Sequence, residues 1–150
     1  MFYFYRLKFQ TNKIIIKSEA EYKPTSNTVL KRPVPDLNSF EDEQAAGYLI
    51  ELKSNKAVAA IKPGEQLVLG RSKSRSDICL ADKSISAQHA TLQYHSGSHC
   101  FLLEDLDSSN GTWIKGQHPL SVGVKTTVGT DEIFYLADKK NACYIFVADS

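Results

Sequence analysis

After Gly47 the hydrophobic positions come in short runs separated by turn residues, with no long helical period. Tyr48, Ile50 and Leu52 share one face of an expected strand over 48–52, and Ala57 to Ile61 follows a Ser54–Asn55 turn. Pro63 and Gly64 make the next break. Strands are then expected at Leu67 to Leu69, Ile78 to Leu80, Ala90 to Tyr94, Phe101 to Glu104 and Thr112 to Ile114. His118 to Leu120, Thr126 to Val128, Glu132 to Leu136 and Tyr144 to Val147 complete the series, and Gly97, Gly111, Gly116, Gly123 and Gly129 fall in the turns. Many short strands at spacings of roughly 8–12 residues predict an all-β sandwich or barrel.

Residues 1–45 have a different texture. Met1 to Lys17 is β-prone, with Ile14, Ile15 and Ile16 in a row, and predicts one added strand. From Ser18 to Asn38 the chain is polar, with Pro24, Pro33 and Pro35 and no period, which reads as a linker or a loosely attached arm. Phe40 to Ala46 is expected to form one helical turn. The division expected from sequence is therefore an N-terminal extension over 1–45, largely irregular, and a β domain over 46–150.

A formal net charge of +1 argues against a general nucleic-acid binder, which needs a basic stripe. No run of about 18 apolar residues is present to span a membrane. Arg6, Lys8 and Gln10 interrupt the apolar start before a signal-peptide core can form. Cys79, Cys100 and Cys143 are odd in number and widely spaced, as expected of reduced thiols in an intracellular protein, nuclear or cytoplasmic.

Three polar clusters at expected strand ends carry the candidate chemistry: Gly70–Arg71, Ser86 to His89, and Asp105 to Thr112. Arg71 offers a planar fork of donors suited to a phosphate. Ser86 can donate a hydroxyl to a phosphate oxygen, and Lys73 and Arg75 add positive potential nearby. Ser86 and His89 do not read as a catalytic pair, because a nucleophilic serine needs an orienting acid and usually a strained elbow, and no G-x-S-x-G occurs. A buried His89 bonding loop backbone is the expected role. Asp105 and Asp107 open like a calcium loop, but Asn110 and Gly116 stand where that loop needs glycine and glutamate. His95, His99 and Cys100 lack a fourth ligand at a finger-like spacing, so no metal and no cofactor is expected. The Asn110 amide, with donor and acceptor, can clasp an extended peptide main chain.

Taken together, Gly70 and Arg71, then Ser86 and His89, then Asp105, Ser108, Asn110, Gly111 and Thr112 resemble the motif series of the forkhead-associated (FHA) domains in order and approximate spacing. The resemblance covers about Ala46 to Ser150. It implies a β-sandwich of about eleven short, mostly antiparallel strands, whose loops at one end bind phosphothreonine peptides without catalysis. Arg71 and Ser86 would hold the phosphate. Asn110 would hold the peptide main chain, with Ser109 lining the same groove. Gly70, His89 and Gly111 would shape the loops. Lys73, Arg75, Ser84 and Ala87 would border the peptide; Ala87 stands where the family often has arginine, and Thr130 where it often has glycine. The implied function is an adaptor in phosphorylation-dependent assembly, monomeric, with a phosphothreonine protein as partner and neither nucleic acid nor membrane. The rival reading is a phosphate-independent scaffold on the same fold.

Overall fold

A computed structural model describes residues 32–148. Ten strands form two five-stranded sheets. In chain order they are β1 (Gly47–Glu51), β2 (Lys56–Ile61), β3 (Gln66–Gly70), β4 (Ile78–Cys79), β5 (Ala90–His95), β6 (Cys100–Asp105), β7 (Thr112–Ile114), β8 (Thr126–Val128), β9 (Phe134–Leu136) and β10 (Ala142–Phe146). One sheet runs β2-β1-β10-β9-β7 and the other β4-β3-β5-β6-β8, antiparallel throughout except for the parallel β3–β4 pair. The expected all-β sandwich is the observed architecture.

Alternation along each strand builds the core. Leu49 of β1 and Cys143 and Ile145 of β10 point between the sheets, where they meet Leu69, Leu92, Leu103 and Phe101 from the opposite layer. Burying each large aliphatic side chain stabilises the fold by about 1.5–3 kcal/mol relative to exposure. Turn chemistry then sets the register. Asn55 adopts the left-handed conformation at φ 55°, tolerable for asparagine, and closes β1 onto β2.

The expected face of Tyr48 and Ile50 lies on the outside of its sheet and is nevertheless buried. With Ala57 and Tyr144 these residues form a second apolar cluster, against which Leu37 and Ala45 pack. The segment before β1 is held there by main-chain bonds. Asp36 N donates to Asn55 O at 3.0 Å, and Ala57 N donates to Asp36 O at 2.8 Å. Asn38 Nδ2 reaches Ala57 O at 3.2 Å. Tyr48 Oη donates to Asp42 O at 2.9 Å and accepts from Asp42 N at 3.0 Å. The compact unit accordingly opens at Pro33, inside the stretch expected to be extension. The helical turn in this stretch is a short 3-10 turn at Asn38–Phe40, ahead of the expected Phe40 to Ala46. The strand expected within Met1 to Lys17, and the linker as far as residue 31, lie outside the described residues.

Among the described residues there are ten strands, against about eleven expected, because His118 to Leu120 does not make one. Pro119 forms an isolated bridge to Trp113, and Leu120 N alone donates to Thr112 O at 2.9 Å. Proline has no N–H to continue a ladder. No helix among the described residues is long and apolar enough to cross a membrane.

Tyr48→Phe tests the covering segment, since it keeps the buried ring and removes both bonds to Asp42. Urea denaturation should give a loss of about 1–3 kcal/mol with an unchanged denaturant slope; an unaltered midpoint would show that the segment contributes nothing to stability.

Candidate functional site

Three loops at one end of the sandwich come together: residues 71–77 after β3, 80–89 before β5, and 106–111 between β6 and β7. Their assembly begins with Gly70. A Cβ there would lie 2.1 Å from the carbonyl oxygen of Ala87, so only glycine lets the end of β3 touch the neighbouring loop. That closeness allows Arg71 N to donate to Ser86 O at 2.9 Å and Ser72 N to Ala87 O at 3.2 Å. Arg71 and Ser86, fifteen positions apart in the chain, are thereby fixed side by side.

Arg71 is exposed. Its Nε donates to Ile85 O at 2.9 Å, which ties down one edge of the guanidinium and leaves its two terminal nitrogens without a hydrogen bond among the described residues. Ser86 Oγ accepts from Ser109 N at 3.0 Å, which leaves the hydroxyl proton to donate elsewhere. Asn110 Nδ2 donates to Ser84 O at 2.8 Å, tying the third loop to the second. Guanidinium, hydroxyl and carboxamide thus border one open surface. Such donors can hold a tetrahedral anion and an adjoining peptide group.

His89 is fully buried beneath them. Its Nδ1 accepts from Ser86 N at 3.0 Å, and its Nε2 faces Gly111 O at 2.8 Å. A backbone N–H can only donate and a carbonyl can only accept, so the ring is neutral, with its proton on Nε2. With both nitrogens engaged, His89 is no base for the Ser86 hydroxyl. Its contacts join the Ser86 and Gly111 loops.

The 106–111 loop is organised by Asp105, which is buried at 2% exposure. Its carboxylate accepts from Ser108 Oγ at 2.5 Å, Thr112 Oγ1 at 2.6 Å and Ser108 N at 3.0 Å. Burial works to raise the Asp105 pKa, but hydrogen bonds from the Ser108 hydroxyl, Thr112 and the Ser108 amide outweigh it, and the carboxyl titrates below its ordinary value. Asp107 at φ 61° and Gly111 at φ 86° complete the turn. In the 80–89 loop Asp82 has a similar part. Its pKa falls to about 2 because the Ser84 amide and hydroxyl bond its carboxylate, assisted by Lys140 at 3.3 Å.

The remaining expected border residues differ in what they present. Lys73 and Arg75 stand exposed on the 71–77 loop, and neither forms an ion pair among the described residues. Gln88 Nε2 donates to Arg75 O at 2.9 Å and braces that loop. Ser84 gives its hydroxyl to Asp82 and its carbonyl to Asn110, so it shapes the edge rather than offering a free group. Ala87 contributes backbone alone. Sequence reasoning did not single out a groove of about 500 Å³ on the other side of the 80–85 loop, lined in part by Leu80, Asp82, Lys83, Lys53, Lys140 and Cys143. Its residues come from three distant stretches and fall in no motif. Burial pushes the Cys143 thiol up to about 12, with Glu51 adding to the shift, which leaves the thiol unreactive there. No group of three or more potential metal ligands occurs among the described residues.

Comparison with known proteins bears on the fold. The family model described as FHA domain matches residues 67–136. Over that stretch the chain is similar to FHA domains. Solved FHA domains share its fold. That of MEK1, in a crystal structure with a phosphothreonine peptide of HOP1, is 19% identical with a TM-score of 0.58, over 70% of this chain and 99% of the other. The FHA domain of the CT664 protein from Chlamydia trachomatis is 25% identical with a TM-score of 0.56, over 69% and 98%. A third, from a study of phosphothreonine-dependent FHA interactions, is 17% identical with a TM-score of 0.57, over 69% and 98%. No curated protein matches the chain.

Asp105→Asn measures what holds the third loop. Asparagine has one carbonyl oxygen for three donors, and its amide nitrogen would face one of them. Stability at neutral pH should fall by about 1.5–3 kcal/mol. A carboxyl with a depressed folded pKa contributes stability that is present above its unfolded value, about 3.9, and lost as pH falls through the folded value. The gap between parent and variant should therefore narrow below about pH 4 in denaturation series; a constant gap would mean that the Asp105 charge contributes no stability.

Proposed function

We propose that the domain binds phosphothreonine-containing segments of other proteins and acts as a non-catalytic adaptor. The observation that carries this reading is the fixed adjacency of Arg71 and Ser86, each with free donors on one open surface beside Asn110. Arg71 would take the phosphate in a fork and Ser86 would add a hydroxyl donor. Asn110 would hold the peptide main chain, with Ser109 beside it. Lys73 and Arg75 would raise the local potential, and Gly70, His89 and Gly111 keep the loops in place. Crystallisation of the MEK1 FHA domain with a phosphothreonine peptide supports the choice of ligand.

An adaptor rather than an enzyme fits the chemistry of the site. Proton transfer needs a base within reach of the reacting group, and His89 bonds backbone through both nitrogens. We read the partner as an intracellular phosphoprotein and the chain as a monomer with an N-terminal extension ahead of the binding domain. The near-neutral net charge of +1 does not favour nucleic acid or an anionic membrane.

Fluorescence anisotropy with a phosphothreonine peptide tests the assignment. Arg71→Ala should lower affinity at least about tenfold, since charge-assisted hydrogen bonds contribute about 1.5–3 kcal/mol each. Its stability should change by only about 0.5–1.5 kcal/mol, the worth of the lost Nε bond to Ile85. His89→Ala should do the reverse, costing about 1–3 kcal/mol for each backbone group left unpaired and weakening binding only through the disordered loop. Unchanged affinity in Arg71→Ala would place any phosphate site elsewhere and favour the phosphate-independent scaffold.

Binding should also weaken in mild acid. A phosphate monoester has its second pKa near 6, and the Arg71 fork gains most from the dianion. Affinity should drop as pH falls through about 6, below which the phosphate carries one charge. Equal dissociation constants at pH 7.5 and pH 5 would mean that the second phosphate charge is not recognised.

A further inference from the structure

Asn110 is attached to a peptide plane that needs holding. Its carbonyl leads into Gly111, which has a positive φ of 86° and no side chain to resist rotation. In a tight turn, a plane between such residues can flip at small steric cost, interchanging the directions of its C=O and N–H. A flip here would break the turn from which the Asn110 side chain reaches Ser84 O, its partner at 2.8 Å.

Two side chains oppose that flip. Ser108 Oγ accepts from Gly111 N at 2.9 Å and so holds the N–H end. The carbonyl end is held by Trp113, whose indole Nε1 donates to Asn110 O at 3.3 Å. The indole also closes the space over Gly111, since a Cβ added there would lie 3.1 Å from Nε1. Trp113 is itself seated firmly. It pairs with Tyr135 in the β7–β9 ladder, and the rings stack at 6.1 Å between centroids with 9° between planes. Its backbone is bridged to Pro119 on the other side.

We infer that Trp113 is a positioning residue for peptide recognition, its indole N–H locking the Asn110–Gly111 peptide plane so that the Asn110 amide faces the bound main chain. The inference rests on the reading of the site as a phosphopeptide groove. It assigns to the indole a part in gripping the main chain and none in gripping the phosphate, because Arg71 and Ser86 are held by other contacts.

Trp113→Phe separates the hydrogen bond from the packing, because phenylalanine keeps a ring over Gly111 and against Tyr135. Calorimetry would compare an extended phosphothreonine peptide with free O-phosphothreonine, alongside thermal melts. The peptide should bind about two- to tenfold more weakly, the span of one neutral hydrogen bond, while free phosphothreonine binds as in the parent and the melting temperature stays near the parent value. Equal peptide affinity in parent and variant overturns the inference, and so does an equal loss for both ligands. A second readout needs no ligand: the Gly111 amide resonance of the free chain should shift in Trp113→Phe, and a stationary resonance overturns the inference even if peptide binding changes. A parent chain that ignores the phosphopeptide while the Gly111 resonance still shifts removes the functional reading, and with it the recognition role, but leaves the indole contact established.

Discussion

The neutral imidazole of His89 is the contact on which the recognition end depends. One ring accepts from the Ser86 amide and donates to the Gly111 carbonyl, so it joins two loops separated by more than twenty residues of chain. Both bonds are partly buried beneath the loops, and an unpaired buried group costs free energy comparable to a lost hydrogen bond. Few side chains can supply an acceptor and a donor on opposite edges of one rigid plane. Loop geometry and histidine identity therefore determine each other, and the sheets below supply the fixed distance between them.

Around that ring the loops are cross-braced by bonds of the same kind, side chain to backbone. Arg71 Nε meets Ile85 O, Ser109 N meets Ser86 Oγ, Asn110 Nδ2 meets Ser84 O and Gln88 Nε2 meets Arg75 O. Each of these four ties one loop to another, and the groups that remain free are those the surface presents. Preorganisation of this sort would lower the ordering cost of any binding at this surface, because the loops are already held in one arrangement. Asp105 does for the 106–111 turn what Asp82 does for the 80–89 turn, each carboxylate collecting nearby amides and hydroxyls.

The other end of the dependence is the close approach at Gly70. Without it Arg71 and Ser86 could not share a backbone hydrogen bond, and the two loops that carry them would stand apart. A glycine is needed there because a second backbone, rather than a mobile side chain, occupies the space. The same economy places Gly111 under the Trp113 indole, where a side chain would press on the ring.

What the sequence determined by itself was local. Alternation of apolar residues and the turn signals between them located the strands from Tyr48 onward, and the polar runs around Arg71, Ser86 and Asn110 marked three loops that meet at one end. Tertiary structure decided what depends on distant partners. Leu37 and Ala45 cover the outer face of Tyr48 and Ile50 although their own stretch has no periodic pattern. His118 to Leu120 has strand-like composition but no ladder, since Pro119 cannot donate. The groove beside the 80–85 loop, and the indole contact to Asn110, likewise join residues through the fold. Periodicity records which face of a strand is buried; it carries no signal for which remote backbone group a side chain will meet. Those meetings are fixed only when the two sheets close on each other.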